Sequence, residues 1–266
     1  MNANETDGAT RHDPWVEDAL ERRRQPEKEP VFNLPAIILA LAAVMVAIHV
    51  IRVYFVSQDG NYTLLLLFAF IPKAYAGMGA GFPYPYALFW TPVTYSFLHA
   101  DWIHLSMNLL WMIAFGTPVA RRLGAGRFLA LSALCSVCGA GLHYVLFAND
   151  LVPVIGASAA VSGYMGAAAR FAFNIPAARY GPGMFRHDGP ALGLIESFSN
   201  RKFLIFLGVW MVMNLIFGTG AVPIAGENVQ VAWQAHIGGF LAGLLFFSVF
   251  DPIGKGPAGR RADERA

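Results

Sequence analysis

The chain of 266 residues is 56% hydrophobic and 14% charged, with a mean hydropathy of +0.48, whereas soluble domains carry roughly 25% charged residues. So much apolar surface excludes disorder. Two cysteines exclude a disulfide scaffold, and a formal net charge of +2 leaves no footprint for nucleic acid.

The charges are unevenly spread. Residues 1–30 hold 13 of the 36 charged groups and residues 251–266 hold 7. This predicts three parts: a polar cytoplasmic tail over 1–30, a membrane domain over 31–250, and a second polar cytoplasmic tail over 251–266.

The first apolar segment, Leu34 to Ile51, runs 18 residues without Asp, Glu, Lys or Arg, the length of a spanning helix. A polar tail rather than a short basic leader precedes it, so a cleaved signal peptide is not expected. Five further stretches follow: Trp102–Ala120, Phe128–Ala148, Gly156–Asn174, Phe203–Gly218 and Val229–Phe250. Some are short for a span of about 20 residues, which predicts helices buried among their neighbours. The expected fold is all-α: a polytopic membrane protein with six transmembrane helices. No internal repeat is visible, which argues against an inverted-repeat transporter.

Lys and Arg set the expected orientation. The two tails and the loop regions around Arg121–Arg127 and Arg170–Lys202 hold 17 of the 19 basic residues, leaving only Arg52 and Lys73 for the other loops. Six spans with both termini cytoplasmic fit this alternation, as in a bacterial inner membrane.

The first outer loop, Ser57 to Asp101, is long. Its apolar run Tyr62–Pro72 is short and Pro-bounded, so it reads as an interfacial or partly embedded segment. Phe82, Tyr84, Tyr86, Phe89 and Trp90 suit the headgroup level, as an anchor or as substrate contacts.

Polar residues within a bilayer are costly and call for individual readings. The stretch HADWIHLSMN carries His99, His104 and Asn108. His104 and Asn108 are four apart and share a helix face. His99 falls earlier, at the loop junction, where a backbone hydrogen bond would also explain it. GASAAVSGYMG opens the fourth span with Gly156 and Ser158. Backbone N–H groups are free at such a helix start and the dipole favours negative charge. A serine there also serves as an N-cap or a small packing residue, and Ser162, one turn deeper, is the rival nucleophile. AHIGGFLAG in the last span holds His236, Gly239 and Gly243, and the glycine pair permits close approach of another helix.

By the charge topology, spans two, four and six run in one direction, so His104, Asn108, Ser158 and His236 share one outer layer. A nucleophile, a base and hydrogen-bond donors are the parts of acyl transfer. No acidic residue falls within a span; Asp101, Asp150 and Glu227 lie in outer loops. A Ser-His dyad is therefore the economical reading. A zinc site fits worse, because His99 and His104 are five apart and diverge on a helix. Cys135 and Cys138 read as packing.

At these residues the sequence resembles the rhomboid family of intramembrane serine proteases, over roughly Trp90 to Phe250. The His-x-x-x-Asn of the family's second span looks like His104 to Asn108, with the preceding histidine at His99. Its Gly-x-Ser-Gly looks like Gly156, Ala157 and Ser158, and its His-x-x-Gly-x-x-x-Gly looks like His236, Gly239 and Gly243. The resemblance implies a rhomboid-like six-helix bundle with Ser158 as nucleophile and His236 as general base. It also implies that His104, Asn108 and the Ser158 backbone N–H stabilise the oxyanion. It implies no metal or organic cofactor, and partners that are transmembrane protein substrates within the lipid bilayer. The alternative is a non-proteolytic rhomboid-like protein that binds transmembrane segments.

Two departures from the family pattern stand out. Ala159 occupies the place of the glycine after the serine, and its methyl is expected to press on a close helix contact. Trp90-Thr91 and Ala120 stand where the family often has Trp-Arg and glutamate. The first outer loop is therefore expected to be held mainly by apolar contacts.

Overall fold

The computed structural model describes residues 34–77, 79–173, 191–218 and 231–253. The tail residues 1–30 and 254–266, the ends of two predicted spans at Asn174 and Val229, and Glu227 lie outside the described residues. The described residues form ten α-helices, α1 (Ala36–Tyr54), α2 (Gln58–Phe68), α3 (Pro72–Ala76), α4 (Thr91–Thr94), α5 (Trp102–Leu123), α6 (Ala125–Phe147), α7 (Ser158–Ala172), α8 (Leu194–Ser199), α9 (Arg201–Gly218) and α10 (Trp233–Phe250), with short 3-10 helices at Pro85–Phe89 and Tyr95–Phe97. Among them there is no strand, only an isolated antiparallel bridge between Phe70 and Val154.

Five of these helices, α1, α5, α6, α9 and α10, are long and apolar enough to cross a membrane, at 18 to 23 residues each. The remaining predicted span, the fourth in chain order, is α7, with 15 residues. At 1.5 Å per residue it is roughly 22 Å long, short of a hydrocarbon layer of about 30 Å. Every residue from Ala159 to Phe171 is buried. Its run of Ala, Gly and Ser lets neighbours approach on all sides. The structure is thus a six-helix membrane bundle with a short, protein-enclosed helix at its centre.

The peripheral helices are built the opposite way. In α1 only Ile38, Met45 and His49 are buried, and α9 buries little more than Phe203, Asn214 and Gly218. Their remaining apolar surface suits lipid rather than protein.

Helix α5 starts at Asp101, whose side chain accepts the His104 backbone N–H at 2.8 Å, an N-cap. Partway along, Met112–Gly116 widens into a π turn. Pro118 follows in the next turn, has no N–H to offer residue 114, and so breaks the regular ladder there. Gly124, at φ +75°, ends α5 and lets α6 begin at the next residue.

Helix α10 is wedged between α6 and α7, and backbone contact sets the wedge. A Cβ on Gly238 would stand 2.5 Å from the Cys138 carbonyl oxygen of α6, while one on Gly239 would overlap the Ala159 carbonyl of α7. One turn on, a Cβ on Gly243 would overlap the Gly163 carbonyl, and one on Gly166 would overlap that of Phe240. Cys135 packs directly on Gly163, so this cysteine does fill space as its apolar surroundings imply.

At the end of the bundle opposite the start of α7, charged groups tie the same helices together. Arg122 donates to both carboxylate oxygens of Asp251, at 2.9 and 2.7 Å, in a pair that is almost wholly buried. The guanidinium lies over the rings of Phe171 and Phe247. Arg170 of α7 donates to the carbonyls of Leu192 and Leu244 and to Ser248 Oγ.

Removing one partner of a buried bidentate pair leaves the other charge stranded, which costs about 3–5 kcal/mol. Asp251→Ala is therefore expected to lower the denaturant midpoint of the detergent-solubilised protein by a corresponding amount. Ser248→Ala, which removes one neutral acceptor from the Arg170 guanidinium and leaves its bonds to the Leu192 and Leu244 carbonyls, is expected to cost less, about 1.5–3 kcal/mol.

Candidate active site

The residues singled out from the sequence gather at the ends of α5, α7 and α10. The chain reaches α7 through Val154–Ala157. Gly156 sits at φ +119°, a conformation that side chains strain to adopt. A Cβ there would also stand 2.7 Å from His104 Nε2. The glycine is thus needed twice, for its backbone angle and for the approach of the histidine ring. Ser158 Oγ lies 3.7 Å from the same point, so His104 and Ser158 flank Gly156.

Ser158 is the first residue of α7 and half-buried. The cap position is Ala157, whose side chain cannot accept a hydrogen bond. The first intrahelical donor is Val161 N–H, to Ala157 O at 2.9 Å. The N–H groups of the preceding turn therefore point ahead of the helix, the arrangement that favours an anion. Ser162 is buried one turn further in.

His104 sits in the first turn of α5. Its Nδ1 accepts the Ala100 backbone N–H at 3.4 Å. The ring proton then belongs on Nε2, the atom that faces Gly156, so His104 presents a donor to the serine's surroundings. Asn108 is buried and donates one amide hydrogen to the His104 carbonyl at 2.9 Å, leaving its second N–H for another acceptor. His99 lies in the loop before α5 and is 1% exposed. Its Nε2 accepts the Ala157 N–H at 3.4 Å, and its ring meets His104 edge-on at 5.2 Å between centroids. His99 thus acts as a strut between the loop and the serine's approach segment. Burial, with His104 and His49 close by, holds its pKa down at about 3, so the ring is neutral.

His236 stands one turn before Gly239 on α10. Because Gly239 rests on Ala159 and the two helices run in parallel, His236 falls within about one turn of the level of Ser158. His236 is three residues beyond the start of α10 at Trp233, so this level is recessed by roughly 4.5 Å from the helix start. His236 Nδ1 lies 2.7 Å from Asn214 Oδ1 of α9, and its Nε2 is buried with no protein partner. Asn214 was not picked out from the sequence. The available signal was its isolation as the one uncharged polar side chain within an apolar span.

Ala159 is accommodated rather than disruptive. Its methyl lies over Gly139 of α6, where an added Cβ would stand 2.6 Å away. The space for the methyl comes from a glycine on a third helix.

The first outer loop packs Phe70 and Tyr75 against Tyr95, Tyr144 and Val154, and a set of polar ties adds to these apolar contacts. Arg52 donates to the His99 carbonyl and to Asn61 Oδ1, both at 3.0 Å. Trp90 Nε1 donates to the Leu67 carbonyl at 2.8 Å and Thr94 Oγ1 to that of Phe68 at 2.9 Å. Tyr75 bonds both the Leu88 carbonyl and Thr91. Arginine comes from α1 instead of following the tryptophan, and the apolar run itself forms the helix α2. Phe89, Tyr86 and Trp90 are exposed, as an anchoring belt requires. Among the described residues no group of three or more His, Cys, Asp or Glu side chains is arranged to hold a metal ion.

Residues 87–251 match the sequence profile of the rhomboid domain, and the chain belongs to the rhomboid family. It is an integral membrane protein. It is 29% identical over 160 residues to the rhomboid protease GlpG of Serratia proteamaculans, covering 60% of this chain and 48% of that protein. It is 27% identical to the mitochondrial rhomboid protein 1 of Saccharomyces cerevisiae, over 57% of this chain and 39% of that one. The rhomboid protease GluP of Bacillus subtilis is 27% identical over 65% of this chain and 28% of its own length. The matched region therefore spans about half or less of each of these relatives.

The fit of Ala159 against Gly139 is testable. Gly139→Ala meets Ala159 Cβ and the Ala235 carbonyl oxygen, at 2.6 and 2.7 Å, and overpacking of this kind costs about 1–3 kcal/mol. Adding Ala159→Gly is expected to recover part of that loss. Thermal melts of both single variants and the double variant should then show a coupling that distant sites lack.

Proposed function

We propose that this protein is an intramembrane serine endopeptidase, cutting peptide bonds in or beside the transmembrane segments of other membrane proteins. The observation that carries the reading is the convergence at Gly156. Ser158 Oγ opens an uncapped helix start and His104 Nε2 lies against the same glycine, while the packing of Gly239 on Ala159 brings the unpartnered Nε2 of His236 to within about one turn of that level. The likeness to relatives named as rhomboid proteases supports it.

In this reading His236 Nε2 takes the Ser158 hydroxyl proton as the oxygen attacks the scissile carbonyl. The developing oxyanion meets the Ser158 backbone N–H and His104 Nε2–H, with the second Asn108 N–H as a further donor. His236 then passes its proton to the leaving amine, and water admitted from the loop side releases the acyl group. The recessed level of Ser158 means the scissile bond must descend into the bundle. A regular helix conceals its carbonyls in backbone bonds, so substrates with helix-weakening residues are favoured. We also propose that both termini face the cytoplasm of a bacterial inner membrane and that the polar tails lie there. The support is the placement of 17 of the 19 Lys and Arg residues in one set of loops.

A fluorophosphonate probe and a model transmembrane substrate test the reading in proteoliposomes. Ser158→Ala and His236→Ala are expected to lose both labelling and cleavage, while Ser162→Ala retains both. Cleavage by folded Ser158→Ala protein overturns the assignment. His104→Ala is expected to lower kcat by about 10²–10³, with KM much less changed, and Asn108→Ala to lower it less because other donors remain. Raised KM at unchanged kcat would make these residues binding groups instead.

A further inference from the structure

We propose that Asn214 is a positioning residue for His236, supplying the fixed acceptor that holds the base's Nδ1–H and leaves its Nε2 lone pair for Ser158. The proposal rests on the Ser-His reading above and adds a third member to it, from a helix that carries no other site residue.

Beyond Arg201 and Lys202 at its start, α9 is apolar except for Asn214, and Asn214 is 7% exposed. A buried amide in a spanning helix is costly unless bonded. Here both ends of the amide are bonded. Its Nδ2 donates to the Trp233 carbonyl at 3.3 Å, and its Oδ1 lies 2.7 Å from His236 Nδ1.

The Trp233 carbonyl decides the orientation. A carbonyl only accepts, so the amide nitrogen faces it and the amide oxygen faces the imidazole. That oxygen also only accepts, so the ring proton is on Nδ1. The lone pair is therefore on Nε2, the atom that is shielded and has no protein partner. Trp233 and His236 are one turn apart on α10, so a single side chain grips both the backbone and the ring of the same turn. During attack the serine proton moves to Nε2 while Nδ1–H stays bonded to Asn214.

An amide suits this place better than a carboxylate. A buried acid in an apolar span carries a desolvation cost that a neutral amide avoids. The orienting task of a triad's third member is kept, and its charge is dispensed with.

The test compares Asn214→Leu with Asn214→Asp in the full-length protein. Leucine removes the acceptor and fits the apolar span; aspartate keeps the acceptor and is the poorer residue for burial. If Asn214 positions the base, Asn214→Asp labels with the fluorophosphonate probe faster than Asn214→Leu, although it melts lower. Loss of the acceptor in Asn214→Leu is expected to cut the labelling rate and kcat about tenfold, with KM little changed. A structural role gives the opposite order, with activity following the melt.

Nitrogen NMR of histidine-labelled wild-type protein reads the tautomer without any activity, the His236 signal being assigned by its loss in His236→Ala. A proton on Nδ1 is expected, and a proton on Nε2 overturns the proposal even if both variants fail to fold. Wild-type labelling rates in folded Asn214→Leu also overturn it. If the wild type itself fails to label through Ser158, the protease reading fails instead, and the tautomer measurement still judges Asn214.

Discussion

In a bilayer the apolar faces of two helices gain nothing from leaving water, so helix association depends on close packing and on polar contacts. The contact that organises this bundle is backbone on backbone. Gly238 and Gly239 carry α10 against α6 and α7 at once, and Gly243, Gly163 and Gly166 continue the approach down the α7 side. Side chains that interlock can slide by a rotamer; carbonyls that touch a facing Cα cannot. Moving α10 by one residue along α7 would set Phe240 where Gly239 now rests on Ala159, or, in the other direction, Ala242 where Gly243 now rests on Gly163, and neither side chain fits there. The heights of Ser158 and His236 are therefore set by glycines that touch no substrate.

The same logic explains what the sequence revealed and what it hid. The apolar runs and the alternation of basic residues revealed the bundle, because each signal is local or additive along the chain. The pairs His104/Asn108 and His236/Gly239 were legible because helix periodicity converts spacing into a shared face. What stayed hidden depends on pairs brought together by tertiary contact. Nothing near Ala159 in sequence announces that Gly139 makes room for its methyl. Nothing near Asn214 announces a histidine 22 residues later. The loop ties were missed for the same reason, since Arg52 reaches the His99 carbonyl from a separate helix. No arginine follows Trp90, yet a cation on α1, Arg52, supports that loop from another direction. The shortness of α7 was visible as a shortened apolar run, but its enclosure by protein appears only in three dimensions.

The bundle also divides its polar groups by charge. The end opposite the site is closed by Arg122, Asp251 and Arg170, fully ionic groups that are buried yet paired or bonded to carbonyls. The site end contains histidines, amides and hydroxyls, with Arg52 and Asp101 at its rim. This division follows from what each end must do. A clamp gains from strong charge-assisted bonds that never change. A site that moves a proton must avoid a fixed neighbouring charge that would trap the proton on one partner. Neutral acceptors such as Asn214 Oδ1, and carbonyls such as that of Trp233, orient donors while leaving the proton transfer close to balanced. In the reading proposed above, the absence of acidic residues from the spans is therefore part of how the site works. Orientation comes from amides and from packed backbone. The two charges that develop are opposite: the oxyanion faces a helix start and a neutral histidine donor already in place to receive it, and the His236 imidazolium keeps its Nδ1–H on Asn214 Oδ1.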